Sequence, residues 1–159
     1  SKVVALAQSS VVNSVASVAV VAHEFGHAMQ DKENYAMLKL RGAIVPVVSI
    51  GSNVGPWLFM GGALLGLGTT VGSSLAWLGV IGFGLAALFA LITLPVEFDA
   101  SRRALAMIRD NRLLTDSEMQ GAKQVLDAAA LTYVAAAAQA LLTLLYFVTR
   151  LTGSSRRDD

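Results

Sequence analysis

There is no cysteine in this 159-residue chain. That excludes disulfides and thiolate metal sites, so any metal must rest on imidazole and carboxylate, while the redox compartment stays open. Histidine is nearly as scarce, with two residues in all, His23 and His27. Charge is thin as well: 14% of residues are Asp, Glu, Lys or Arg, against about 25% in an ordinary soluble domain. Residues 42–96 contain none of these four and no histidine. Apolar residues make up 55% and the mean hydropathy is +0.61, a membrane-type composition. A net charge of +1, with no basic stripe interleaved with aromatics, argues against a nucleic-acid partner. A signal peptide is missing too, since the apolar stretch at residues 3–7 is too short and has no cleavage pattern. Ser1 in place of Met is what a chain that starts partway through a longer precursor would show.

What the chain does have is concentrated in one place. Both histidines lie in His23-Glu24-Phe25-Gly26-His27. Helical periodicity puts residues four apart on one face, so the two imidazoles can face a single metal ion. Glu24 lies one step round, where a carboxylate can hold and deprotonate a water on that metal. This is the H-E-x-x-H arrangement of zinc proteases. The competing reading is a chance pair of helix histidines with a surface glutamate, and the uncharged flanks tell against it.

Taken in order, residues 3–7 read as a short strand, with β-branched residues and a polar Gln8-Ser9-Ser10 stop. Asn13 or Ser14 can cap the motif helix, expected over residues 14–32, which is small and apolar nearly all round and so should be buried among other helices. Gly26 inside it costs about 0.5–1 kcal/mol against alanine, which points to a close approach near the metal. Gln30-Asp31-Lys32-Glu33-Asn34 read as a solvated end. The uncharged block is long enough for two spans of about 20 residues, expected at 43–67 and 75–94 with a turn at 68–74. The first span holds Pro46 and Pro56, so it is either one kinked helix or a short membrane-edge helix followed by a span from about Pro56. Gly51, Gly55, Gly62, Gly66, Gly68 and Gly72, paired four apart, suit close helix packing. Pro95 suits the first turn of a new helix or a kink. Thr115 and Glu118 have capping-box spacing, and a third span follows at 128–149, with a frayed polar tail from Gly153.

Two imidazoles do not complete a catalytic zinc site, which needs a third protein ligand and an open fourth position. The acidic candidates are Asp31, Glu33, Glu97, Asp99, Asp110, Asp116, Glu118 and Asp127. Glu97 is the best placed. It is the first charge after the uncharged block, and a helical hairpin through that block would return the chain to the membrane face of the motif. Ser101, one turn on, can support Glu97 or a histidine, or be ordinary helix surface. Asp99 points away from Glu97 and is expected to be structural or supporting. Arg102 and Arg103 can stabilise an oxyanion or simply anchor a span at the interface.

Three blocks carry a resemblance. They are His23 through His27 with Ala28-Met29-Gln30, Leu94-Pro95-Val96-Glu97-Phe98-Asp99-Ala100-Ser101-Arg102-Arg103-Ala104-Leu105, and Gly121-Ala122-Lys123-Gln124-Val125-Leu126 with the alanine-rich stretch to Ala136. Together they resemble the YugP-like neutral zinc metallopeptidases, a family of prokaryotic membrane proteins. The resemblance implies an all-α, multi-span membrane metallopeptidase with a gluzincin-like HExxH helix at the membrane edge. It further implies one Zn²⁺ ion held by His23, His27 and Glu97, with Glu24 as general base. The chain is more distantly similar to the CAAX prenyl proteases and the HtpX-type heat-shock proteases, in which an aspartate follows the glutamate four residues on. Here that place is Ser101. Family members also carry an N-terminal span and a small polar region before the motif, so a single metallopeptidase domain lacking that span is expected over residues 1–159.

The function expected is hydrolysis of peptide bonds in a peptide or protein substrate, including membrane proteins, beside a lipid bilayer. The alternative is a non-enzymatic helical bundle with a structural or regulatory metal site, to which Glu24 would be of no use. A transporter would place charges at mid-membrane, and the two central spans have none. The expected location is the cytoplasmic membrane of a prokaryote. Lys32, Lys39, Arg41, Arg102, Arg103, Arg109, Arg112 and Lys123 fall on the motif side, whereas the 68–74 turn has no basic residue. That asymmetry puts the site on the cytoplasmic face, with Arg150, Arg156 and Arg157 opposing weakly.

Overall fold

Ser14 begins the motif helix. Its side chain accepts from the Ser17 amide at 3.1 Å, so of the two candidate caps it is the one that acts. In the computed structural model, which describes residues 14–157, the chain forms α1 (Val15–Lys32), α2 (Ala36–Leu65), α3 (Thr70–Asp110) and α4 (Asp116–Arg157), with no strand among the described residues. The fold is all-α. The strand expected at residues 3–7 lies outside the described residues.

Each helix boundary has a local cause. α1 ends with Asn34 at φ 56°, the Tyr35 amide donating to the Gln30 carbonyl and the Asn34 amide to that of Asp31. This is the left-handed C-terminal motif that asparagine tolerates. α2 runs through Pro46 and Pro56 as one helix, which excludes a separate membrane-edge helix before Pro56. The turn after it spans residues 66–69, earlier than the 68–74 expected, because the Thr69 hydroxyl accepts from the Gly72 amide at 3.1 Å and starts α3 there. Pro95 lies within α3 and begins no new helix. At α4 the Thr115 hydroxyl accepts from the Glu118 amide while the Glu118 carboxylate accepts from the Thr115 amide at 3.1 Å, which completes the capping box. The polar tail expected from Gly153 is helical as far as Arg157, since no proline stops it and glycine and serine cost under about 1 kcal/mol each.

The chain divides into two compact units. One contains residues up to Leu40 together with Thr93–Val134. There α1, the end of α3 and the start of α4 close around Ala19, Ala22, Ala104, Ile108, Ala122 and Leu126, and alanine at four of these six places lets the helices approach closely. The other contains Arg41–Ile92 and the chain from Ala135 on. In it α2 and α3 run antiparallel with glycine on glycine: a Cβ on Gly55 would stand 2.8 Å from the Gly79 carbonyl oxygen, and one on Gly51 2.9 Å from that of Gly82. Only glycine permits that contact. Phe59 and Phe147, 4.7 Å apart, pack there beside Val80 and Leu151. Three helices are long and apolar enough to cross a membrane: Ala36–Leu65, Thr70–Asp110 and Asp116–Gly153. Large side chains such as Trp57, Leu64 and Leu142 are exposed at 71%, 83% and 67%, an apolar surface suited to hydrocarbon.

Candidate metal centre

The motif helix meets α3 at Gly26. A Cβ there would run into the carbonyl oxygen of Ala100, so the absence of a side chain is what lets α1 lie against α3 at this level. His23 and His27 flank that contact on α1, and Glu97 and Ser101 flank it on α3. The close approach inferred from Gly26 is therefore the approach that assembles the site.

His23 and His27 stand edge to face, ring centroids 4.7 Å apart. Glu97 is 4% exposed. Its Oε2 lies 2.8 Å from His23 Nε2 and 3.3 Å from His27 Nε2. One ligand atom from each of the three residues falls within 4.8 Å of the others, a group able to hold a metal ion. Ligand atoms about 2.0–2.1 Å from a tetrahedral zinc lie roughly 3.3 Å from one another, close to the spacing here. The donor set also fits, with two imidazoles and one buried carboxylate turned on a common point and no thiolate required.

The other ring nitrogens face away from that point. His23 Nδ1 is 3.1 Å from Ser101 Oγ, so Ser101 supports a histidine, one of the two roles open to it. His27 Nδ1 is 2.9 Å from Gln30 Oε1. Gln30 was expected in a solvated end. It is instead fully buried, its amide nitrogen donating to the Val96 carbonyl at 2.8 Å and to Asp99 at 2.9 Å. The signal was available: Gln30 lies three residues after His27 and four after Gly26, on the face that meets α3.

Asp99 is turned from Glu97, as its helical position requires, and collects Gln30, Arg103 at 2.7 Å and Arg102 at 3.4 Å. It lies beyond the uncharged stretch that ends at Val96. These donors and the two guanidinium charges keep the carboxylate of Asp99 paired. Arg103 also pairs with Glu33, which ties the end of α1 to α3. Arg102 is exposed and lines a cavity of about 500 Å³ with Ser101, Phe98 and Leu105. Glu24 and His23 line a smaller cavity of about 180 Å³, walled by Val20 and by Val125, Leu126, Ala129 and Tyr133 of α4.

Residues 1–152 match the model of a family described as "putative neutral zinc metallopeptidase". The chain is 49% identical over 135 residues to the "putative membrane protease YugP" of Bacillus subtilis (strain 168). That alignment takes in 85% of this chain and 58% of the relative, so the chain spans little more than half the length of that protein. No solved structure matches. With a family model covering nearly its whole length and a relative of this identity, the chain belongs to the YugP-like family of neutral zinc metallopeptidases and is a membrane protein.

Proposed function

We propose that this chain carries the catalytic centre of a membrane-embedded zinc endopeptidase. The observation that supports this best is the convergence of His23, His27 and Glu97 on one point, with Glu24 next to His23 on the wall of a cavity. His23, His27 and Glu97 would hold one Zn²⁺. When bound, that ion supplies the Lewis acidity that brings the pKa of a water towards about 7 and polarises a carbonyl.

The chain's own residues do the rest. Glu24 accepts a proton from the attacking water and returns it to the leaving amine, a single carboxylate serving as base and then acid. Val125, Leu126 and Ala129 exclude bulk water from the Glu24 cavity and receive an apolar side chain of the substrate. A structural zinc site closes all four positions with protein ligands, so three ligands beside a cavity favour catalysis over a purely structural metal.

The substrate is a peptide or protein presented at the bilayer. The site faces the cytoplasm of a prokaryotic cell, on the strength of the basic residues that flank the motif and are absent from the 66–69 turn. Purified chain loaded with zinc should cleave a general substrate such as casein. Chelation should abolish cleavage and added zinc restore it; cleavage indifferent to a chelator would refute the proposal.

A further inference from the structure

Gln30 is fully buried and both ends of its side-chain amide have partners inside the protein. Its amide nitrogen faces the Val96 carbonyl at 2.8 Å and Asp99 Oδ2 at 2.9 Å, and its amide oxygen faces His27 Nδ1 at 2.9 Å. A backbone carbonyl can only accept, so the NH₂ must point at Val96. Flipping the amide would set its oxygen against two acceptors at once, in a site with no exposure to water. The orientation is thereby settled, and Gln30 Oε1 can only accept from His27. His27 Nδ1 must carry the proton.

We propose that Gln30 is a positioning residue that fixes His27 in its Nδ1–H tautomer, so that Nε2 presents its lone pair to a cation. The inference rests on the zinc reading of the site. Asp99 holds Gln30 in turn, and Arg103 holds Asp99 through Nε at 2.7 Å while pairing with Glu33. The result is a line of bonded groups running from the exposed end of α1 to the half-buried imidazole of His27. His23 is treated differently. Its partner is the Ser101 hydroxyl, which can donate or accept and so leaves the His23 tautomer open. Only His27 has its protonation pattern dictated by the protein. A side chain merely bridging α1 to α3 could do so through the Val96 carbonyl alone, and would have no reason to present its oxygen to a ligand of the metal.

The test uses the full chain in detergent micelles, wild type and Gln30→Met, a variant of similar length that offers His27 only a weak thioether acceptor. Zinc affinity is measured by competition with a chromophoric chelator, and melting is followed without metal. We expect zinc to bind 10–100-fold more weakly to Gln30→Met, the range for losing a partner that orients a ligand. The metal-free melting temperature should fall as well, because methionine also removes the donors to the Val96 carbonyl and to Asp99. In zinc-loaded wild type, ¹⁵N spectra should show His27 protonated at Nδ1, with that proton slow to exchange. Unchanged zinc affinity in Gln30→Met overturns the inference, and so does a wild-type His27 bare at Nδ1. Should Gln30→Met fail to fold, the wild-type spectrum decides alone. Failure of wild type to bind zinc at all would instead remove the zinc reading on which the inference stands.

Discussion

A single methyl group at Gly26 should separate the two halves of the metal centre. An added Cβ would sit 3.1 Å from the Ala100 carbonyl carbon and 3.2 Å from its Cα, with the carbonyl oxygen closer still. Carbon atoms rest about 3.5–4.0 Å apart, so α1 and α3 must part by roughly 0.5 Å. The obstacle is backbone and cannot rotate away. Overpacking of this kind costs about 1–3 kcal/mol, against which alanine returns about 1 kcal/mol of helix propensity. Net destabilisation of up to about 2 kcal/mol is expected. The effect on metal should be larger than on folding, because ligand distances in a zinc site tolerate only about ±0.2 Å and His23 and His27 ride on one helix while Glu97 rides on the other. The assay is a thermal melt of Gly26→Ala beside a zinc competition titration. A variant with wild-type melting and wild-type zinc affinity would show that the α1–α3 contact does not set the ligand geometry, and the reasoning would fail.

Other outcomes follow from the same contacts. Glu97→Ala should purify with little zinc, losing far more than the 10–100-fold expected of a supporting partner, whereas Glu118→Ala should keep its metal, as metal analysis of the two side by side will show. Thr115→Ala should cost about 1 kcal/mol through loss of the α4 cap and leave zinc affinity alone, read by melting and titration. A cysteine placed at Asn111 should escape a membrane-impermeant thiol reagent in intact cells and react after lysis, as a cytoplasmic site requires; labelling in intact cells would reverse the proposed orientation.

Much of the molecule was legible because single physical rules govern it. A four-residue spacing places His23 and His27 together in any helix, and the uncharged block had to form apolar helices whatever its loops. The capping box at Thr115 and Glu118 needs only its own four residues. Glu97 could be reached by following the chain out of the apolar block and asking which carboxylate first needs a partner. Less legible were features decided between helices. Gln30 looked like the start of a polar helix end because its neighbours Asp31, Lys32 and Glu33 are charged, yet its own face is the one that meets α3. Arg103 is bound by Asp99 and Glu33, and the second of those partners is seventy residues away, beyond the reach of local pattern. Pro46, Pro56 and Pro95 suggested interruptions, yet α2 and α3 run through them as continuous helices.

In the proposed mechanism Glu24 moves the proton while His23, His27 and Glu97 hold the metal. Glu24→Gln separates the two roles, since an amide keeps the shape of the side chain and cannot accept that proton. Zinc content and peptide cleavage should be measured on the same preparation of wild type and variant. Full zinc is expected in both, with cleavage abolished in Glu24→Gln. Near wild-type turnover in the variant would contradict the protease mechanism, and loss of zinc along with activity would contradict the division of roles.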